Sequence, residues 1–153
     1  MLILEGFQAG LSWITILRKR KNFKKAFDNF NPKKIAKYDS RKINQLMKNE
    51  GIIRNRLKIN AAKTNAQCFL DVRKEFGSFD KYIWQFVKGK PIVNKFKNLK
   101  QVPAKTVQSD AMSKDLKKRN FKFVGSTICY AFMQATGMVN DHTTKCFRHK
   151  GLK

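Results

Sequence analysis

Apolar positions recur along this chain at the three- and four-residue spacing of helices, and no strand-like alternation persists. Leu2 to Gln8 reads as the end of a helix, broken at Gly10. Ser12 caps the next, with Trp13, Ile16 and Leu17 on one face, and the basic run Arg18 to Lys21 ends it. Asn22 opens a short helix holding Phe23, Ala26 and Phe27. Pro32 starts another, where its missing N–H costs nothing. Ser40 caps a helix with Ile43, Leu46 and Met47 inside, and Gly51 closes it. The longest helix runs from about Asn55 to Phe76, with Leu57, Ala61, Ala62, Asn65, Phe69 and Val72 as its inner stripe. Gly77 stops it, and Ser78 caps a helix carrying Phe79, Tyr82, Ile83 and Phe86. Lys88 to Gln108, with Pro91 and Pro103, is loop. Ser109 caps a helix through Arg119, and after a tight turn Ser126 opens the last, through Ala135. With no repeat and no Gly/Ser linker, the pattern predicts one all-α domain over 1–153.

Composition narrows the class. Hydrophobic residues are 42% and aromatics 12%, including 13 Phe. That is too apolar for disorder and enough to build a core. Lys and Arg number 34 against 10 Asp and Glu, a net charge of +24. Such an excess repels itself in a compact chain, so a polyanionic partner is expected: nucleic acid first, an anionic membrane surface second. Compositional drift toward lysine accounts for a share of it. Three cysteines, Cys68, Cys129 and Cys146, make no disulfide framework and point to a reducing, cytoplasmic compartment. No signal peptide is visible, and no apolar run nears the roughly 20 residues of a spanning helix.

One turn carries chemistry. In Asn120-Phe121-Lys122-Phe123-Val124-Gly125-Ser126-Thr127, the residues Phe121, Phe123 and Val124 anchor the connection in the core. Gly125 admits close approach of something large, Ser126 and Thr127 begin a helix whose free N–H groups favour an anion, and Lys122 adds charge. The order suits a helix-hairpin-helix DNA element, which grips the phosphate backbone without reading sequence. It suits a plain αα-hairpin with a glycine turn equally well.

Longer blocks decide between these. They are Leu4-Glu5-Gly6-Phe7-Gln8-Ala9-Gly10-Leu11-Ser12-Trp13, Gly51-Ile52-Ile53-Arg54-Asn55-Arg56-Leu57-Lys58-Ile59, Phe76 to Trp84, Ser109 to Leu116, and Phe123 to Ala135 continuing through Val139-Asn140-Asp141-His142. In this order, over nearly the whole chain, they resemble the DNA-3-methyladenine glycosylase I family of the helix-hairpin-helix superfamily, a constitutive bacterial enzyme. The resemblance implies an all-α helix-hairpin-helix glycosylase fold and a monomer acting on double-stranded DNA that holds alkylated adenine. The implied reaction is base flipping followed by hydrolysis of the N-glycosidic bond of 3-methyladenine, leaving an abasic site without strand cleavage. The lesion is already cationic, so the leaving group needs little acid catalysis.

The resemblance also assigns residues. Glu5 matches the pocket carboxylate, which accepts hydrogen bonds from the lesion and complements its charge. It is one of two acidic residues before Asp39. Trp13 matches the stacking aromatic. Gln8, Gly10 and Leu11 lie in the turn that approaches the duplex, with Leu11 as wedge. Lys122, Val124, Gly125, Ser126 and Thr127 form the backbone-gripping hairpin. Read without the family, Glu5 is a solvent-facing helix residue and Trp13 a core residue. Asp141 is not assigned the catalytic role of an Asp downstream of the hairpin elsewhere in the superfamily, and is expected to stabilise the loop around His142. His142 and Cys146 sit at i and i+4, one face of a helix, and both are good zinc ligands. The family closes its chain ends with a structural zinc bound from each end. Here the partner segment, which also supplies a second pocket aromatic, is not present, so this chain reads as N-terminally truncated with two of four ligands. His149 is a spare donor, and Cys68 and Cys129 are expected to be buried. Two readings of function follow: a working glycosylase, or an inactive truncated relic that retains non-specific DNA binding. A nucleoid-type basic protein stands outside the family.

Overall fold

A computed structural model describes residues 1–151; the last two residues of the expected 1–153 domain lie outside it. The described residues form α1 (Leu2–Gln8), α2 (Trp13–Ala26), α3 (Pro32–Ile35), α4 (Ser40–Met47), α5 (Arg56–Phe76), α6 (Phe79–Trp84), α7 (Val107–Lys118) and α8 (Ser126–Ala135). Three 3-10 turns and two short strands, β1 (Ile92–Val93) and β2 (Val139–Asn140), complete them.

The starts of these helices follow side-chain chemistry. Asn31 accepts from the backbone N–H groups of Lys33 and Lys34, with Pro32 at the first helical position. Asn55 accepts from Lys58 N, and Ser78 from Lys81 N. Gly77, at φ +80°, ends α5 in a conformation that costs other residues more.

Two apolar clusters share α5. In one, Phe7, Phe23 and Phe27 meet with ring centroids 4.8 to 5.9 Å apart, backed by Ile16, Ile35 and Ile59. In the other, Tyr82, Met112, Leu116, Phe121, Met133 and Met138 pack between α6, α7 and α8. Helix α1 bridges them, touching α2, α5 and α8.

Several boundaries differ from the sequence reading. The basic run does not end α2, which continues unbroken to Ala26. Lys and Arg are good helix formers, and Ile16, Phe23 and Phe27 keep one stripe through them. Leu17 faces solvent. Asp39, not Ser40, caps α4, and Thr106, not Ser109, caps α7, where Ser109 closes a reciprocal capping box. Gly51 lies beyond the end of α4, its N–H bonded to Asn49 Oδ1 2.8 Å away. Leu57 is 73% exposed, and Lys58 and Ile59 take the inward places. The series 57–61–65 and 58–62–65 are both legal helical spacings, so the pattern alone does not choose. The loop from Lys88 holds a strand: β1 pairs in parallel with β2, Ile92 opposite Val139 and Val93 opposite Asn140. This ties the loop to the chain leaving α8.

Candidate functional site

A cleft of about 590 Å³ opens where α1 and the start of α2 face α8 and the segment after β2. Its size lies within the usual range of about 300–1,000 Å³ for ligand sites. Glu5, Gln8 and Trp13 line one side, and Ala131, Gln134, Asp141, His142 and Cys146 the other. Residues more than a hundred positions apart thus converge, because α1 packs directly on α8.

Glu5 is only 2% exposed, not the solvent-facing helix residue that its sequence context alone suggests. Burial raises its carboxyl above the usual range, partly opposed by the positive N-terminal amine nearby. Among the described residues no side chain donates a hydrogen bond to it. The carboxylate is therefore held at the cleft wall with its acceptors unspent. Trp13, the first residue of α2, is half-buried against the first cluster and shows its remaining surface to the cleft. The core reading thus covers part of the Trp13 side chain.

Between them the chain makes an exposed turn. Leu11 N–H donates to Gln8 O at 2.7 Å, and Gly10 sits at φ +78° with nothing near its missing Cβ. Leu11 at the tip is 38% exposed. The Gln8 side chain bonds back to Leu11 O, bracing the turn.

The connection from α7 to α8 is a tight hairpin, anchored by Phe121 and Val124, both buried. Phe123 is not part of that anchor. It adopts φ +54° and turns its ring partly outward. Asn65 of α5 clamps the hairpin, its Nδ2 donating to Lys122 O (2.9 Å) and its Oδ1 accepting from Lys122 N (2.7 Å). Ser113 Oγ donates to Val124 O at 2.6 Å, and the Ser109 and Ser126 hydroxyls pair at 2.8 Å. Gly125 caps α8 without a side-chain hydrogen bond, and a Cβ built on it meets nothing within 4 Å. Ser126 and Thr127 open the first turn of α8, Ser126 half-buried and Thr127 exposed, with exposed Lys122 close by in the hairpin. The Val124 side chain lies in the core.

His142 and Cys146 lie in the irregular chain after β2, not on a helix, yet their Nδ1 and Sγ come within 3.6 Å. An imidazole and a thiol suit zinc, but a structural site wants four donors. Among the described residues no third His, Cys, Asp or Glu joins them. His149 is not a spare, since its Nε2 lies 2.8 Å from Asn94 O. Asp141 is fully engaged: it accepts from Tyr130 OH (2.5 Å), Gln134 Nε2 (2.7 Å) and Asn94 Nδ2 (2.7 Å), tying α8 and the 88–108 loop to β2. Cys68 and Cys129 are buried as expected, and burial pushes the Cys129 thiol up to about 12, which keeps it inert. Lys58 and Asn65 are buried polar residues of α5 whose backbone partners the spacing did not reveal: Asn65 stood in the expected inner stripe, whereas Lys58 stood outside it. Among the described residues no helix is long and apolar enough to cross a membrane.

Comparison with known proteins agrees with this fold. A family profile described as methyladenine glycosylase matches residues 1–149. A DNA-3-methyladenine glycosylase of Haemophilus influenzae is 51% identical over 145 residues, covering 95% of this chain and 78% of the relative. A crystal structure of a 3-methyladenine DNA glycosylase I superposes with a TM-score of 0.93 at 49% identity, over 95% of this chain and 80% of that one. A second structure of this kind, in complex with 3-methyladenine, superposes equally well at 35% identity, over 95% of this chain and 78% of that one.

Proposed function

This chain belongs to the methyladenine glycosylase family, and we propose that it excises 3-methyladenine from alkylated DNA through the Glu5–Trp13 cleft. The reaction is hydrolysis of the N-glycosidic bond, leaving an abasic site. The observation that carries the assignment of the cleft is the burial of Glu5, whose acceptors no described side chain uses.

The steps follow from the geometry. The lesion leaves the stack and enters the cleft. Trp13 stacks on one face, a contact worth about 1–3 kcal/mol. Glu5 accepts hydrogen bonds from the base edge, and at its buried position its charge interacts more strongly with the cationic ring than it would in bulk water. Burial makes the ionised carboxylate costly, and a cationic base offsets that cost. Because the leaving group already carries positive charge, Glu5 needs to stabilise and orient rather than protonate. Asp141, held by three donors, is left for structure.

The duplex is gripped beside the cleft by a helix-hairpin-helix element. The N-terminal amides of α8 at Gly125, Ser126 and Thr127 take a phosphate, assisted by the Val124 backbone and by Lys122. Gly10 and Leu11, braced by Gln8, enter the gap left by the flipped base. The enzyme works as a single-domain monomer in the bacterial cytoplasm. His142 and Cys146 hold a structural zinc only when two further ligands join them, so Cys146→Ser abolishes whatever zinc metal analysis finds on the protein. The deciding experiment is release of free base from methylated duplex, with Glu5→Gln alongside. Release by the native chain and its loss in the variant are the expected results.

A further inference from the structure

Lys58 occupies the first turn of α5 and is 8% exposed, an uncommon place for a lysine. Its Nζ donates to Phe7 O at 2.9 Å and to Ala9 O at 2.6 Å, and lies 5.9 Å from the centroid of the Phe123 ring. Among the described residues no carboxylate pairs with it, and burial lowers its pKa. The two carbonyls belong to the end of α1. The last carbonyls of a helix have no partner within it and carry its partial negative charge. Helix α1 ends at Ala9 (φ −46°, ψ 118°), and left-handed Gly10 beyond it returns only the Leu11 N–H, to Gln8 O, so that no backbone N–H of the turn reaches the Phe7 and Ala9 carbonyls. Lys58 fills that place from a helix fifty residues away. Two turns further along α5, Asn65 clamps the Lys122 backbone of the hairpin. One face of α5 thus holds both the turn after α1 and the hairpin before α8.

A buried charge is a poor source of stability, since a well-packed apolar residue of similar volume usually does as well. What an ammonium supplies here is geometry: two donors at a fixed point on a rigid 21-residue helix. We propose that Lys58 is a positioning residue for base extrusion, holding the end of α1 so that the Glu5 carboxylate stays in the cleft and the Gly10–Leu11 turn stays at its mouth. This rests on the reading of that cleft as the lesion site.

The test compares native protein, Lys58→Met (similar volume, no donor) and Lys58→Arg (donors kept) on the full chain. Amide hydrogen exchange is followed at Leu11, whose N–H closes the turn, and at the α7–α8 core. Single-turnover base release from methylated duplex is measured at saturating protein, well below each melting temperature. The expected result for Lys58→Met is at least a tenfold loss of protection at Leu11 with core protection unchanged, and at least a tenfold slower release. Lys58→Arg should restore most of both. Unchanged protection at Leu11 overturns the proposal. So does a loss spread evenly over the protein, or release that matches the native rate. Should Lys58→Met not fold, Lys58→Gln, which lacks the charge, takes its place under the same criteria. If the native protein itself releases no base, the cleft reading fails, while the Leu11 exchange still decides whether Lys58 holds the turn.

Discussion

Changing Glu5 to Gln separates binding from stability, because the two should move in opposite directions. The side chain keeps its volume and loses its charge. A hydrogen bond to a charged group contributes about 1.5–3 kcal/mol, and about 1.4 kcal/mol is tenfold in affinity. Affinity for 3-methyladenine should therefore fall between about tenfold and a hundredfold. Stability should rise. Burial places the folded-state pKa of Glu5 above its reference of 4.5, so between those values the folded protein binds more protons than the unfolded chain. Stability then falls as pH rises through that window, and the cost of the buried carboxylate is fully present above the folded-state pKa. Glu5→Gln should melt higher than the native protein at pH about 7.5, with the difference closing below pH about 4, where both states are protonated. Quenching of Trp13 fluorescence by the free base reads affinity, and calorimetric melts at the two pH values read stability. A variant that binds the base as tightly as the native protein would refute the assignment of Glu5. One that melts lower at neutral pH would refute the burial argument.

Binding to undamaged duplex should weaken by about a hundredfold or more between 50 and 200 mM salt, measured by filter binding, because several phosphates are neutralised. Gly125→Val should lower duplex affinity about tenfold by blocking phosphate approach to the α8 amides. Its melting temperature should stay within about 2 °C, since the added atoms meet open space; a melt that falls in step with affinity would make Gly125 a structural turn only. Asp141→Ala strands three donors and should cost about 2–4 kcal/mol, or about 5–15 °C in calorimetry. Its base release at low temperature should remain closer to native than that of Glu5→Gln, and the reverse order would give Asp141 a part in the chemistry.

The family was legible in the blocks from Leu4 to Trp13 and from Phe123 to His142, and the helices in their caps and apolar spacing. Asn55, Ser78 and Gly77 act over three or four residues, and each does what its local chemistry predicts. The expected break after the basic run in α2 did not occur, because exposed charge does not oppose helix formation when an apolar stripe continues beneath it. At α4 and α7 the true caps, Asp39 and Thr106, lie one and three residues before the Ser residues that competed for the role. A capping side chain is chosen by which backbone turns extended, and neighbouring candidates look alike in one dimension.

The sequence by itself determined the helical class, the positive charge and, through its resemblance blocks, the family in which Glu5 and Trp13 are proposed as pocket residues. It did not determine that Glu5 is buried, because helix periodicity assigns faces without saying what covers them; the cover is α8, more than a hundred residues away. Nor did it separate Leu57 from Lys58, since both fit the stripe of α5. The structure gives the inward place to Lys58, whose long side chain donates to the Phe7 and Ala9 carbonyls at the end of α1, groups that reach α5 only after the chain has folded. The meeting of His142 and Cys146 with Glu5 in one cleft is likewise a product of packing, through the β1–β2 pairing and the bonds to Asp141 that turn the chain back after α8.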